Sequence, residues 1–401
     1  MTNAVASTPE SRTAPEFSLF AGGPYFQLLR RARLADDGLK PVFRRAIVLA
    51  LLAWLPLLVL SALEGRVLDA GIARPFLLDV AAHARLLVAL PLLVWAELVV
   101  FSRMRFLPAE ILERGLIPEH ALDAFHRAVA AALRLRNSVL AEALMIALIG
   151  AITIPLAKHY YLESHTSSWH AAPVAGELKL TLAGMWYGWV SLPLFQFLLL
   201  RWYFRIFIWA RFLLRVSSIP LRLLPAHPDN AGGLLFLGER LYTFVPLALA
   251  HGVLLAAMIA NRIFHDGAQL PEFGFDIFWF TAWVLALALG PLLVLVPSLV
   301  SARRSGMDRY GVLAGRYAAA FEAKWMRGDV PADEPLLGSA DIQSLADMGA
   351  SFQAVREMRA VPFSLRMVAM LVAATLAPTL PLVLTMLSLT ELLRRLAGVL
   401  F

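Results

Sequence analysis

The chain contains no cysteine. That excludes a disulfide framework, a thiolate nucleophile and any zinc or iron–sulfur site held by cysteines. Lysine is scarce too: of 36 basic residues, only Lys40, Lys158, Lys179 and Lys324 are lysine. Charged residues make up 16% of the chain, against about 25% in ordinary soluble domains. Such a low charge content argues against a soluble enzyme and against a disordered chain. What is present instead is apolar. Of 401 residues, 59% are hydrophobic, and the mean hydropathy is +0.68. This composition predicts a protein with several membrane spans. The bias toward Arg, Ala and Leu suggests a GC-rich bacterial genome. The net charge of +7 then reads as orientation and contact with anionic lipid, with no nucleic acid implied.

Residues 1–16 are polar, lack an apolar core and read as a disordered tail rather than a cleavable leader. Phe17 to Leu34 reads as an interfacial segment. A span needs about 20 mostly apolar residues. Seven stretches qualify: about 46–63, 86–101, 138–157, 180–200, 241–260, 277–300 and 367–390. With the N-terminus inside, 28 basic residues fall on the cytoplasmic side and six on the other. That asymmetry predicts a cytoplasmic N-terminus in a bacterial inner membrane. The last stretch is the weakest. A full crossing would place Arg394 and Arg395 outside, and Pro378 and Pro381 interrupt it. Six spans plus a re-entrant end is the alternative. The expected fold is thus an all-α polytopic transmembrane helical bundle. Its regions are a tail at 1–45, a six-span body at 46–300, a cytoplasmic helical hairpin at 301–366 and a C-terminal membrane segment at 367–401.

Within 302–366, Ser305-Gly-Met-Asp308 matches a capping box and predicts a helix to about Arg327. Tyr310, Leu313, Tyr317, Phe321 and Trp325 then share one face. A second helix is expected from about Ser339 to Arg359, with Ile342, Leu345, Met348, Phe352 and Val355 on one face. The pair reads as a hairpin that packs on itself, or as a surface for a protein partner or a second copy of the chain. After the fourth span, Arg201, Arg205, Arg211 and Arg215 fall within about 120° of helix surface. This basic strip, interleaved with aromatics, predicts a lipid-facing helix in the headgroup layer. Proline recurs in the spans as a Pro-Leu step, consistent with kinked helices.

Two carboxylates lie inside spans, Glu97 and Glu142. Each is six residues from a bounding arginine, Arg103 or Arg136, hence roughly 9 Å inward of it. Intramembrane acids mark ion or proton paths, or else anchor helices through partners. His251 in the fifth span joins them as an ion or proton candidate, with hydrogen bonding between helices as the plainer reading. In the connection 158–179, His159, Glu163, His165 and His170 lack a recognised metal spacing, so no metal and no cofactor is expected. Asp79 and His83, four apart, read as a local hydrogen-bonded pair.

The most motif-like string is Pro225-Ala-His-Pro-Asp-Asn-Ala-Gly-Gly233. His227, Asp229, Asn230, Gly232 and Gly233 predict a tight turn that either stiffens the approach to the fifth span or admits a ligand close to the backbone. The strings Gly22-Gly-Pro-Tyr-Phe-Gln-Leu-Leu-Arg-Arg31, His227-Pro-Asp-Asn-Ala-Gly-Gly-Leu234 and Leu337-Gly-Ser-Ala-Asp-Ile-Gln-Ser-Leu-Ala346 resemble those of a family of uncharacterised bacterial multi-spanning membrane proteins. The resemblance implies a bacterial membrane location and no activity or catalytic residue. Two functions compete: an ion or small-solute transporter using Glu97, Glu142 and His251, and a non-transporting scaffold, sensor or assembly factor acting through 302–366. An enzyme is the least favoured, because no nucleophile–base pattern is present.

Overall fold

The computed structural model describes residues 22–34, 41–69, 71–162, 168–174, 177–327 and 340–386. Side chains at 154–162, 173–174 and 177–178 lie outside that description, as do the predicted 1–16 tail, residues 337–339 and 387–401. The described chain is almost entirely helical. Its principal helices are α1 (Pro24–Arg31), α2 (Val42–Leu63), α3 (Leu90–Met104), α4 (Leu122–Arg136), α5 (Val139–Leu162), α6 (Leu192–Ser217), α7 (Val245–Asp266), α8 (Gly274–Leu293), α9 (Val296–Met326), α10 (Ala340–Glu357) and α11 (Leu365–Leu376). One small hairpin, β1 (Ala171–Val174) with β2 (Glu177–Leu180), pairs Ala171 with Leu180.

Among the described residues, five helical stretches are long and apolar enough to cross a membrane. A sixth is formed if Glu119–Arg136 and Val139–Thr153, bent by 44°, count together. The chain is therefore a multi-helix protein suited to a bilayer. Burial sorts the helices. In the apolar stretch that contains α7, 72% is buried, against 33% in α2. The former is the centre of the bundle and packs on α3 and α11. Outer helices turn large apolar side chains outward, such as Leu51, Leu55 and Val59 on α2 and Phe275, Phe278 and Trp279 on α8. Water would disfavour that surface, whereas lipid accommodates it. Close approach within the centre depends on small residues. A Cβ added at Gly252 of α7 would lie 2.1 Å from the Thr375 carbonyl oxygen of α11, the kind of backbone proximity that small residues permit between membrane helices.

Three expectations need correction. Only some prolines lie within a helix, as Pro56 does in α2 and Pro291 in α8. Pro91 and Pro193 each sit in a first turn, directly after the π-helical stretches Ala84–Ala89 and Tyr187–Ser191. A widened turn absorbs both the missing N–H and the ring's clash with the preceding turn. The Ser305 capping box starts no helix. α9 already begins at Val296, with Pro297 in its first turn. Inside a continuing helix the N–H groups near Ser305 have carbonyl partners one turn back, and no orphan donors remain to be capped. Asp79 and His83 do not pair through their side chains. Asp79 accepts from Trp169 Nε1 at 2.9 Å and Asn261 Nδ2 at 2.9 Å, while His83 Nδ1 accepts from Trp54 Nε1 at 2.8 Å.

The two helices of 302–366 lie side by side, but Leu313 and Ile342 of the expected apolar faces remain exposed. α9 and α10 pack along each other, with Tyr317 donating to the Asp341 carbonyl oxygen at 3.3 Å and Lys324 Nζ 2.7 Å from Asp341 Oδ2. Trp325 Nε1 donates to the same carboxylate at 3.1 Å.

Candidate functional site: a buried cluster of arginines and glutamates

Glu97 is in the last two turns of α3 and 4% exposed. One oxygen accepts from Arg205 Nη1 at 2.6 Å, and the other accepts from Arg45 Nη2. Arg45 stands on the first turn of α2, and Arg205 lies mid-way along α6. One carboxylate thus ties three helices. A carboxylate alone at this depth would carry a desolvation cost of several kcal/mol. Two charge-assisted partners offset it.

Glu142, on the first turn of α5, is held differently. The backbone N–H of Tyr25 donates to Glu142 Oε2 at 2.8 Å. Arg201 Nη1 stands 3.8 Å from Oε1, an ion-pair separation beyond hydrogen-bond reach. Tyr25 lies in the first turn of α1, so Glu142 sits at a helix N-terminus, where exposed N–H groups favour an anion. Gly23 allows this approach. It has φ of 86°, and a Cβ there would come 2.6 Å from Glu142 Oε1. The Arg201 guanidinium also covers the Tyr25 ring at 4.5 Å. The cavity beside these groups, lined by Arg136, Glu142, Met145, Arg201, Phe204, Arg205 and Ile208, measures about 10 Å³. That is room for one water at most.

The lipid-facing strip is therefore corrected. Arg201 and Arg205 are 6% and 4% exposed and point into the bundle. Arg211 is exposed and Arg215 half-buried. The physical reason is that α6 runs unbroken from the span through residue 217, so its first two arginines meet the acids of α3 and α5 before the helix reaches its end. Arg45 and Tyr25 are the members that sequence reasoning missed. The Gly22-Gly-Pro-Tyr string, a glycine–proline helix start, was the available signal for Tyr25.

His251 is 1% exposed at the centre of α7. Its Nδ1 is 2.7 Å from the Leu247 carbonyl oxygen, and its Nε2 is 2.9 Å from the Tyr203 hydroxyl. Both ring nitrogens are occupied by neutral groups, and no carboxylate bonds to either. The structure brings Glu97 and Glu142 into one arginine cluster and leaves His251 out of it.

The 225–233 turn is built around Asp229. Its carboxylate accepts from the N–H groups of Ala231 at 2.8 Å, Gly233 at 3.1 Å and Leu235 at 3.1 Å, with His227 Nδ1 at 2.8 Å. Burial alone would raise its pKa, but these donors and His227 outweigh that and hold the carboxyl below the usual range. Asn230 and Gly232 adopt φ of 53° and 64°. The Asn230 carbonyl oxygen accepts from Arg359 N at 2.7 Å, and Gly232 lies against Met358. The turn is thereby packed onto the segment after α10.

No family model, curated protein or solved structure matches this chain.

A second polar layer lies at the other end of the α3 rod. Asp79 caps the helix beginning at Val80 and accepts from Ala82 N at 3.0 Å. Burial would raise its carboxyl, yet donors from Asn261, Trp169 and Ala82 hold it below the usual range. Arg85 donates to the Tyr187 hydroxyl and so joins the two π-helical stretches. Burial pushes His170 down to about 4, with Asp79 pulling the other way. Among the described residues no three His, Asp or Glu side chains gather as a metal site. Glu163 and His165 lie outside the described residues, as does the side chain of His159.

Proposed function

We propose that this chain is a multi-pass protein of the bacterial inner membrane, with seven spans and a cytoplasmic N-terminus, acting as a scaffold, sensor or assembly factor rather than as a transporter. The observation that carries the reading is the lock on the two acids. Glu97 sits between two arginines, Glu142 sits between a helix N-terminus and a third, and the space beside them holds one water at most. A conducting carboxylate needs a hydrated approach and a partner that leaves. The working surface is the arm formed by α9 and α10. It stays largely exposed along its length and carries Val312, Leu313, Met326 and Ile342 outward. A protein partner or a second copy of the chain would dock there. Membership of the uncharacterised bacterial family is part of the same proposal, and the Asp229 turn, one of its three strings, has a packing role that needs no substrate.

Two measurements test this. Purified chain in sealed vesicles should pass no protons, sodium, potassium or chloride under an imposed gradient. Flux that Glu97→Gln abolishes without loss of folding would overturn the proposal. Photo-reactive residues placed singly at Leu313 and Ile342 should capture a partner or a second copy in cells. For orientation, Ser344→Cys should resist an impermeant thiol reagent in intact cells and react after lysis.

A further inference from the structure

An apolar groove runs along the outer face of α5 and α6, with a volume of about 360 Å³, between Leu144 and Leu148 on one side and Leu200, Tyr203 and Phe207 on the other. Leu144, Leu148 and Phe207 are 60%, 47% and 53% exposed, so the groove opens toward the lipid side of the bundle. Two of its walls, Met145 and Phe204, also line the small cavity that holds Arg136, Arg201, Arg205 and Glu142. The apolar channel thus ends against three arginines and one glutamate.

The charge balance there favours an anion. Arg205 is committed to Glu97. Glu142 already has the Tyr25 N–H on one oxygen. Arg201 Nη2 donates to the Gly22 carbonyl oxygen at 3.3 Å, whereas Nη1, buried in a side chain 6% exposed, has no hydrogen-bond acceptor, the nearest carboxylate oxygen being 3.8 Å away. A buried guanidinium donor without an acceptor is costly. Arg136, the last residue of α4, stands on the wall of the same cavity. Basic pockets between membrane helices on the cytoplasmic side suit anionic headgroups.

We propose that one anionic glycerophospholipid docks between α5 and α6. An acyl chain lies in the groove past Leu148 and Leu200. The phosphate rests at the cavity mouth near Arg136. A single phosphate oxygen fits the cavity of about 10 Å³ and accepts from Arg201. The site replaces the headgroup strip expected from Arg201 to Arg215: recognition comes from buried arginines at the end of a groove. It does not depend on what the α9–α10 arm binds.

The test is native mass spectrometry of the chain released from bilayers of phosphatidylcholine mixed with phosphatidylglycerol. The wild-type chain should retain one phosphatidylglycerol in preference to phosphatidylcholine. Arg201→Gln should weaken that retention about fivefold, the effect of one arginine near an anionic lipid. Leu148→Trp, which fills the groove outside the cluster, should lower retention of both lipids while the fold is kept. Arg211→Gln should change nothing. Equal retention of the two lipids by the wild type, or unchanged retention in both Arg201→Gln and Leu148→Trp, would overturn the site. Should Arg201→Gln fail to fold, loss of retention in Leu148→Trp supports it and full retention refutes it.

Discussion

At the Glu97 end of the bundle, three arginines and two glutamates are buried together, and each acid is answered by arginine or by a helix N-terminus. At the Asp79 end, eighteen residues away along the same rod and therefore about 27 Å, one half-buried carboxylate is surrounded by neutral donors: an indole, an amide and a backbone N–H. The difference lies in what happens when one member is removed. Taking an acid from the first end leaves guanidiniums uncompensated, and these cannot shed their charge. Taking the acid from the second end leaves neutral N–H groups, which lose a hydrogen bond but strand no charge.

The largest expected effect follows from that contrast. Glu97→Ala and Glu97→Gln should each lower stability by about 3–5 kcal/mol, because both strand Arg45 and Arg205. Asp79→Asn should cost about 1–3 kcal/mol. Thermal melting in detergent checks both, and a Glu97→Gln protein as stable as the wild type would collapse the distinction between the two ends. Next in size is the packing at the centre. Gly252→Val should cost roughly 3 kcal/mol or more, since its Cβ meets backbone that has no side chain to move.

Acidification sharpens the comparison. His170 titrates at about 4 in the folded chain and near 6.5 when unfolded. A base with a depressed folded pKa contributes stability that is complete above about 6.5 and is lost as pH falls toward about 4. Between pH 7 and 5 the loss should reach up to about 2 kcal/mol, and His170→Gln should abolish it. The paired arginines should contribute nothing over this range. Asp229 and Asp79, both depressed, add a second loss only below about pH 4, their ordinary range. The smallest effect is expected at Arg211. It is exposed, and Arg211→Gln should shift stability by less than about 0.5 kcal/mol. Arg205→Gln, two turns earlier on the same helix, should behave like loss of Glu97's main partner.

Much of this was legible in the chain. The described parts of the seven apolar stretches are helical, and five or six helical stretches are long and apolar enough to cross a membrane, because a long apolar run has few other ways to satisfy its backbone. Tyr317 and Trp325, on the face expected of α9, do reach Asp341 of α10, whereas Leu313 and Ile342 of the expected faces stay exposed. The place of Glu97 and Glu142 along their own helices was also readable, since the rise per residue is fixed. Their partners were not. Arg45 is 52 residues from Glu97, Arg205 is 108 residues from it, and the Tyr25 amide is 117 from Glu142. Periodicity within α6 could show that Arg201, Arg205, Arg211 and Arg215 share a face, but not that the first two turn inward while Arg211 faces out.

The sequence by itself therefore determined a helical chain built for a bilayer, the positions of its apolar stretches and the place of each acid along its helix. These depend on composition and on the geometry of one helix. The tertiary structure alone decided that the acids are answered by arginines and a helix N-terminus, that the arginine strip divides between interior and exterior, and that an apolar groove shares Met145 and Phe204 with the cavity beside Arg201. Each of those depends on which helix faces which, and charge pairing in a low-dielectric interior is set by distances between residues that the sequence holds far apart.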